Sequence, residues 1–311
     1  MSIPETYIIL NPTAGDGQAQ KRWEKFEAEL QQTLISYKVV TTREKNHAAK
    51  LANEALASGE RRIAVFSGDG TLNEVLQGFY AYSDPIPADL KLLFFPAGSS
   101  CDFEKKFDDA RNWIDRIHGV DSFPIDLFKV ECRNTSGDKV QRYILNNSSM
   151  GIISSANEKF NSVSGVTKKI KQFSVDAGAV ICGLQAIKDF KPFTADLIID
   201  NEPLPSMNLS NVTVFKTSNF GGDMSFGVKT IPDDGILSLA WLDGMSRIGL
   251  TSAMPSLFTG KILEKPYAHY KTCNAFQLKT EENIIVETDG ENIGIPPVKY
   301  SILPKALEVI V

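Results

Sequence analysis

The sequence predicts an α/β plus β architecture: an N-terminal doubly wound α/β domain over residues 1–126 and a C-terminal antiparallel β-sandwich-like domain over 127–303. Three observations carry this reading. Short apolar runs alternate with helical spacings through the first third, which implies a parallel sheet with right-handed crossovers. From about Asp126 onward the pattern changes to short β-type runs separated by turn residues. The length of 311 residues suits about two domains.

Residues 6–10 predict the first strand, and Asn11-Pro12-Thr13-Ala14-Gly15-Asp16-Gly17 a loop. Trp23, Phe26, Leu30 and Leu34 then recur at helical spacing. Residues 37–41 predict a second strand, 42–46 a loop, and 48–57 an alanine-rich helix closed by Gly59. A third strand, 63–66, runs into Ser67-Gly68-Asp69-Gly70-Thr71 and a further helix. A fourth, 90–95, ends in Pro96-Ala97-Gly98-Ser99-Ser100-Cys101-Asp102-Phe103. Beyond a junction near 123–130, short strands are expected at 127–132, 141–147, 195–200, 212–216, 236–242, 274–279, 284–287 and 298–303. One helix, about 167–190, interrupts them, and an apolar segment, 306–311, follows Pro304.

Composition narrows the function classes. A net charge of −5 and a pI near 5.4 argue against a dedicated nucleic-acid binder. The longest nearly apolar run, 177–187, is 11 residues, well short of the roughly 20 that cross a membrane. Cys101, Cys132, Cys182 and Cys273 are widely spaced and read as reduced thiols, and the N-terminus lacks a secretory signal, so a cytoplasmic protein is expected. His47, His118 and His269 are scattered, and no Gly-x-Ser-x-Gly elbow occurs, which argues against a hydrolase triad. Lys159, Lys168, Lys169 and Lys171 lie beside Val180, Ile181, Leu184 and Ile187. This is either a membrane-facing basic amphipathic segment or a solvated face over a core stripe.

The chemistry concentrates at Gly68-Asp69-Gly70. Two glycines let the backbone approach a ligand closely, and a helix N-terminus offers free N–H groups to a phosphate. Thr71 and Glu74 have the spacing of a capping box, which starts the helix just after the turn. A carboxylate beside a phosphate needs a bridging cation or a proton to take up, so Asp69 points to phosphoryl transfer from a metal–nucleotide complex. The bland alternative is a surface turn. Loops 11–17, 41–46, 67–71 and 96–102 all fall at the carboxyl ends of the predicted parallel strands, where such sheets bind ligands. In the second half, Asp233-Asp234-Gly235 and Asp289-Gly290-Glu291 are acidic turns whose oxygens suit Mg²⁺ or Ca²⁺, although such turns also occur without a ligand.

Five elements in this order, Asn11-Pro12…Gly15, Ser67-Gly-Asp-Gly-Thr71 with Asn73-Glu74, Pro96-Ala-Gly-Ser99 with Asp102-Phe103, Asp234-Gly-x-Leu237 and Asp289-Gly-Glu291, resemble the diacylglycerol kinase catalytic-domain family, which includes sphingosine and ceramide kinases. The resemblance covers nearly the whole chain. It implies ATP in a cleft between two domains, Mg²⁺, a lipid acceptor met at a membrane surface, and return of residues 304–311 to the first domain. By similarity, Asn11, Gly15, Thr42, Gly68, Gly70, Thr71, Gly98 and Ser99 would bind the nucleotide. Asp69, Asp289 and Glu291 would serve catalysis, Asp102 the substrate, and Asp234 and Asp289 a metal. Peripheral membrane contact is expected, and a homodimer is left open. The chain departs from the family pattern at Ser67, at Cys101 and Glu104 in Gly98-Ser-Ser-Cys-Asp-Phe-Glu104, at Lys105 and Lys106 where a helix is expected, and in lacking Pro-x-Ala before Asp234-Gly235.

Overall fold

A computed structural model describes residues 5–107, 112–162 and 174–311. The chain divides into two compact units, Met1–Leu127 with Pro304–Val311, and Phe128–Leu303. The N-terminal unit contains β1 (Thr6–Leu10), α1 (Gln18–Leu30), β2 (Tyr37–Thr41), α2 (His47–Ala57), β3 (Arg62–Ser67), α3 (Asp69–Tyr82), β4 (Lys91–Pro96) and α4 (Trp113–His118). Its strands lie in the order β2-β1-β3-β4, all parallel, with Glu308–Ile310 adding a further parallel partner to β4. The alternation of side chains along each strand divides the apolar residues between two faces. Ile8, Leu10, Ala64, Phe66 and Phe95 pack on Trp23, Phe26 and Leu30 of α1 and Ile117 of α4. α2 and α3 touch so closely that a Cβ at Gly78 would stand 2.2 Å from the Ala49 carbonyl oxygen. The crossover helices of this parallel sheet explain why its strands read as continuous apolar runs.

The next elements are β5 (Phe123–Arg133), β6 (Lys139–Ile144), β7 (Asn147–Gly151), α5 (Ile152–Ser162), α6 (Val175–Asp189), β8 (Phe193–Ile199), β9 (Glu202–Pro203), β10 (Met207–Phe215), β11 (Asn219–Phe220), β12 (Met224–Ser225), β13 (Leu237–Asp243), α7 (Arg247–Phe258), β14 (Ala268–Cys273), β15 (Ala275–Lys279), β16 (Val286–Thr288) and β17 (Glu291–Ile310). In the C-terminal unit, β14-β13-β10-β7-β16 form an antiparallel run, and β15 pairs β8 and β17. Phe128, Ile144, Met150, Leu197, Val212, Leu239, Phe276, Val286 and Tyr300 share one buried core.

Three local expectations change. Three described helices, not one, interrupt the β-rich half: α7 carries too many small and polar residues for a clear apolar stripe, and the short α5 stripe, Ile152, Ile153, Ala156 and Phe160, continues directly from β7. The run 141–147 is two strands, β6 and β7, separated by Leu145 and Asn146. β17 continues through Pro304, where the segments 298–303 and 306–311 read as separate. Lys305 there takes φ 49° and donates its N–H to the buried Asp126 carboxylate at 2.9 Å. Of the predicted basic cluster, Lys168, Lys169 and Lys171 fall outside the described residues, and Lys159 lies 3.6 Å from Asp189.

Candidate active site

In the N-terminal unit three loops meet through their backbones. A Cβ at Gly98 would stand 2.4 Å from the Gly68 Cα, and one at Gly15, whose φ is 59°, would stand 2.9 Å from the Ala97 carbonyl oxygen. Only glycine allows this packing at 68, 98 and 15. Asn11 donates its amide to Thr71 Oγ1 at 2.8 Å and accepts from the Thr13 N–H and hydroxyl. The Thr42 N–H donates to the Leu10 carbonyl, so the loop after β2 starts beside Asn11. Gly70 and Ser99 are exposed, with open space around the Gly70 Cα.

The expected capping box does not form. α3 starts at Asp69, and its N-cap Gly68 supplies no side chain. Thr71 Oγ1 instead receives Asn11, and Glu74 accepts the Ala48 N–H of α2 at 3.3 Å. Thr-x-x-Glu spacing satisfies two neighbouring elements here, leaving the α3 N-terminus without a side-chain cap.

Asp69 works as a clamp. Its two carboxylate oxygens accept the Asp102 N–H at 2.8 Å and the Phe103 N–H at 2.9 Å, fixing the loop after β4. Asp102, itself buried, accepts the Ser100 hydroxyl at 2.7 Å and the Lys105 ammonium at 2.9 Å. Cys101 sits between them at φ 51°, and burial, then the Asp69 charge, push its thiol up to about 12. It is a protonated thiol at neutral pH. Glu104 has a partner that explains it: the fully buried Arg116 meets its carboxylate at 2.5 and 3.0 Å and also donates to the Phe94 carbonyl. A buried guanidinium requires such a carboxylate. Glu104–Lys106 form a single 3₁₀ turn. The Ser67 hydroxyl is buried with no hydrogen-bond partner.

In the C-terminal unit, Asp289 stands at φ 44° on the tip between β16 and β17. Its carboxylate accepts the N–H groups of Leu145, Asn146 and Asn147 at 3.0–3.1 Å. Two residues earlier, Glu287 is 3 % exposed and accepts the Gly290 N–H at 2.5 Å. Burial, with the Asp289 charge adding to it, pushes its carboxyl up to about 8. Asn157 and Asn161, one turn apart on α5, both donate to the Gly290 carbonyl at 2.8 Å. Glu291, half-buried, begins β17 opposite Thr288.

Asp234 has an ion-pair partner. Its carboxylate is met at 2.7 Å by the ammonium of Lys216, a side chain only 2 % exposed. A lysine ammonium therefore stands at the carboxylate that the resemblance offers to a metal. Among the described residues, no group of three or more histidine, cysteine, aspartate or glutamate side chains stands together to hold an ion.

Comparison with known proteins fits this arrangement. Residues 5–130 match the diacylglycerol kinase catalytic domain, and residues 148–311, more than half the chain, match the YegS C-terminal NAD kinase beta sandwich-like domain. The chain belongs to the diacylglycerol kinase catalytic-domain family. Relatives of this kinase family align end to end. The Bacillus subtilis protein YtlR, provisionally named a lipid kinase, is 24% identical over 97% of this chain and 98% of its own. A Mycobacterium tuberculosis diacylglycerol kinase is 22% identical over 99% of this chain and 95% of its own. A Bacillus anthracis crystal structure, provisionally named a diacylglycerol kinase, superposes with a TM-score of 0.76 at 22% identity, covering 100% of this chain and 98% of that one. The wider fold extends to yeast NADH kinase, with a TM-score of 0.53 at 10% identity over 99% of this chain and 83% of that one.

Within this kinase-family frame, sequence reasoning missed Arg116, Lys216, Glu287 and the Asn157–Asn161 pair. Arg116 and Lys216 carry no local signal, because their carboxylate partners are 12 and 18 residues away in sequence. Glu287 was legible only as a member of the acidic turn. Its burial comes from β7, against which β16 pairs.

Proposed function

We propose that this chain is an ATP-dependent lipid kinase, transferring the γ-phosphoryl group to the hydroxyl of a diacylglycerol-like or sphingoid lipid. The observation that carries the reading is the bare-backbone cradle at Gly15, Gly68, Gly70 and Gly98, closed by Asp69 across the loop after β4. The exposed Gly70 backbone on the uncapped first turn of α3 offers N–H groups and positive dipole to a phosphate. Asn11 and Thr71 hold the first loop against that turn. The residues present therefore fit a nucleotide triphosphate.

Mg²⁺ of this reaction class is held by one or two carboxylates together with the nucleotide's own phosphates and water, and it supplies charge neutralisation when bound. Asp69 is the carboxylate of the cradle that suits this role, and Asp289 with Glu291 are the candidates in the C-terminal unit. One of these carboxylates orients or deprotonates the acceptor hydroxyl. Thr42 and Ser99 are assigned to the nucleotide. Asp102, with its carboxylate committed to Ser100 and Lys105, is assigned to shaping the loop that faces the acceptor.

The test is a radiolabelled-ATP assay against mixed lipid extracts, with parallel reactions on purified diacylglycerol, a sphingoid base and NAD. Label in a lipid product supports the proposal. Label in NAD alone overturns it in favour of a soluble acceptor. Calorimetric binding of Mg²⁺–ATP without transfer to any acceptor overturns it in favour of a nucleotide-binding regulator.

A further inference from the structure

Oxygens of one turn meet the Lys216 ammonium: Asp234 Oδ1 at 2.7 Å, the Ile231 carbonyl at 2.8 Å and the Ile236 carbonyl at 3.0 Å. The same Asp234 oxygen accepts the Ile236 N–H at 3.1 Å, and Gly235 takes φ 71°, so the turn curls around one point. One carboxylate and two carbonyls converging on a point form the donor set of a hard cation. Here the point is filled by the chain's own side chain. Lys216 follows β10 directly, and its N–H donates to the Asn146 carbonyl. The Asn146 N–H donates in turn to Asp289. The ammonium thus ties the 231–236 turn to the strand end whose neighbours seat the Asp289 carboxylate.

We infer that Lys216 supplies the structural cation of this turn from within the chain, so that the 231–236 cradle holds no divalent metal ion. Two charges fill one site poorly. A dication drawn onto this exposed turn would face the buried ammonium at van der Waals range, and their repulsion disfavours it. An ammonium offers its N–H donors to the carboxylate and carbonyl oxygens that the turn presents. The inference concerns this chain's own oxygens and does not depend on which acceptor is phosphorylated.

Thermal unfolding of the full chain, with and without millimolar Mg²⁺ or Ca²⁺ and after chelation, tests it. Wild type is expected to unfold at the same temperature in all these conditions. Lys216→Ala removes the cation and the hydrogen bonds that gather the turn, lowering the midpoint by a few degrees. It also opens the cradle, and Ca²⁺ or Mg²⁺ is expected to restore much of the loss in a saturable way. A midpoint for Lys216→Ala equal to wild type would overturn the inference, as would failure of both ions to raise it. Calorimetric titration of wild type and Asp234→Asn with Ca²⁺ decides the matter even if Lys216→Ala does not fold. Equal, nucleotide-independent isotherms support the built-in cation, and an Asp234-dependent site in wild type overturns it.

Discussion

Asp69 and Asp289 are two versions of one device. Each is an aspartate next to glycine, at the start of a helix or the tip of a hairpin, and each spends its carboxylate on backbone N–H groups. Asp69 takes two, from Asp102 and Phe103. Asp289 takes three, from Leu145, Asn146 and Asn147. Their surroundings differ. Asp69 adjoins the exposed Gly70 and a loop secured a second time by the Glu104–Arg116 pair. Asp289 adjoins a buried carboxyl, Glu287, and a turn clamped by two asparagines. The contrast teaches that an acidic motif can serve two ends: the charge proposed for the chemistry is also the charge that folds the loops around it.

Four perturbations sharpen or break this comparison. The largest concerns the second fastening on the Asp69 side. Glu104→Ala leaves the Arg116 guanidinium buried without its carboxylate and is expected to cost about 3–5 kcal/mol in urea unfolding. A loss below 1 kcal/mol, counting only surface-type pairing, would show that the loop stands on Asp69 alone. Next, Asp289→Ala strips three N–H groups of their acceptor at a position of positive φ, for a loss of about 3 kcal/mol by the same measurement. Near-wild-type stability would mean that the turn is self-supporting.

Asp69→Asn comes third. An amide accepts one of the two bonds and turns its NH₂ against the other N–H, so the loop shifts. We expect unchanged circular dichroism and turnover reduced about a hundredfold in the lipid phosphorylation assay. Retained turnover would remove Asp69 from the mechanism and leave the chemistry to Asp289 and Glu291. The smallest effect is a change of slope. Glu287 titrates near 8 in the fold against 4.5 when exposed, so the native state holds an extra proton between those values. Stability from this group is complete below pH 4.5, falls as pH rises, and is lost above about 8, a difference of a few kcal/mol. Glu287→Gln keeps an oxygen for Gly290 and is expected to flatten that decline. An unchanged pH profile would show that Glu287 is ionised in the fold.

Much of this was legible in the residues. Parallel alternation in β1 to β4 and short β-runs later announced the α/β and β-rich halves, because side-chain period is a local property. The loops at 11–17, 67–71 and 96–102 were recognisable by their glycines, since only a bare backbone makes contacts such as that of Gly98 on Gly68. Helix α7 was not legible, for want of a clear stripe, and α5 was hidden because its short stripe runs straight on from β7. Glu104 stood out as a departure from the family pattern, and its reason, Arg116, was invisible at a distance in sequence.

The sequence by itself determined the class of fold, the order of the glycine turns and the family to which the chain belongs, because each depends on local spacing. Only the tertiary structure decided what the charges touch. It gave Asp69 to the N–H groups of residues 102 and 103, buried Glu287 behind Gly290, and set Lys216 among the oxygens of 231, 234 and 236. The physical reason is that a buried charge is settled by whichever partner packing brings to it, and no spacing along the chain states that partner.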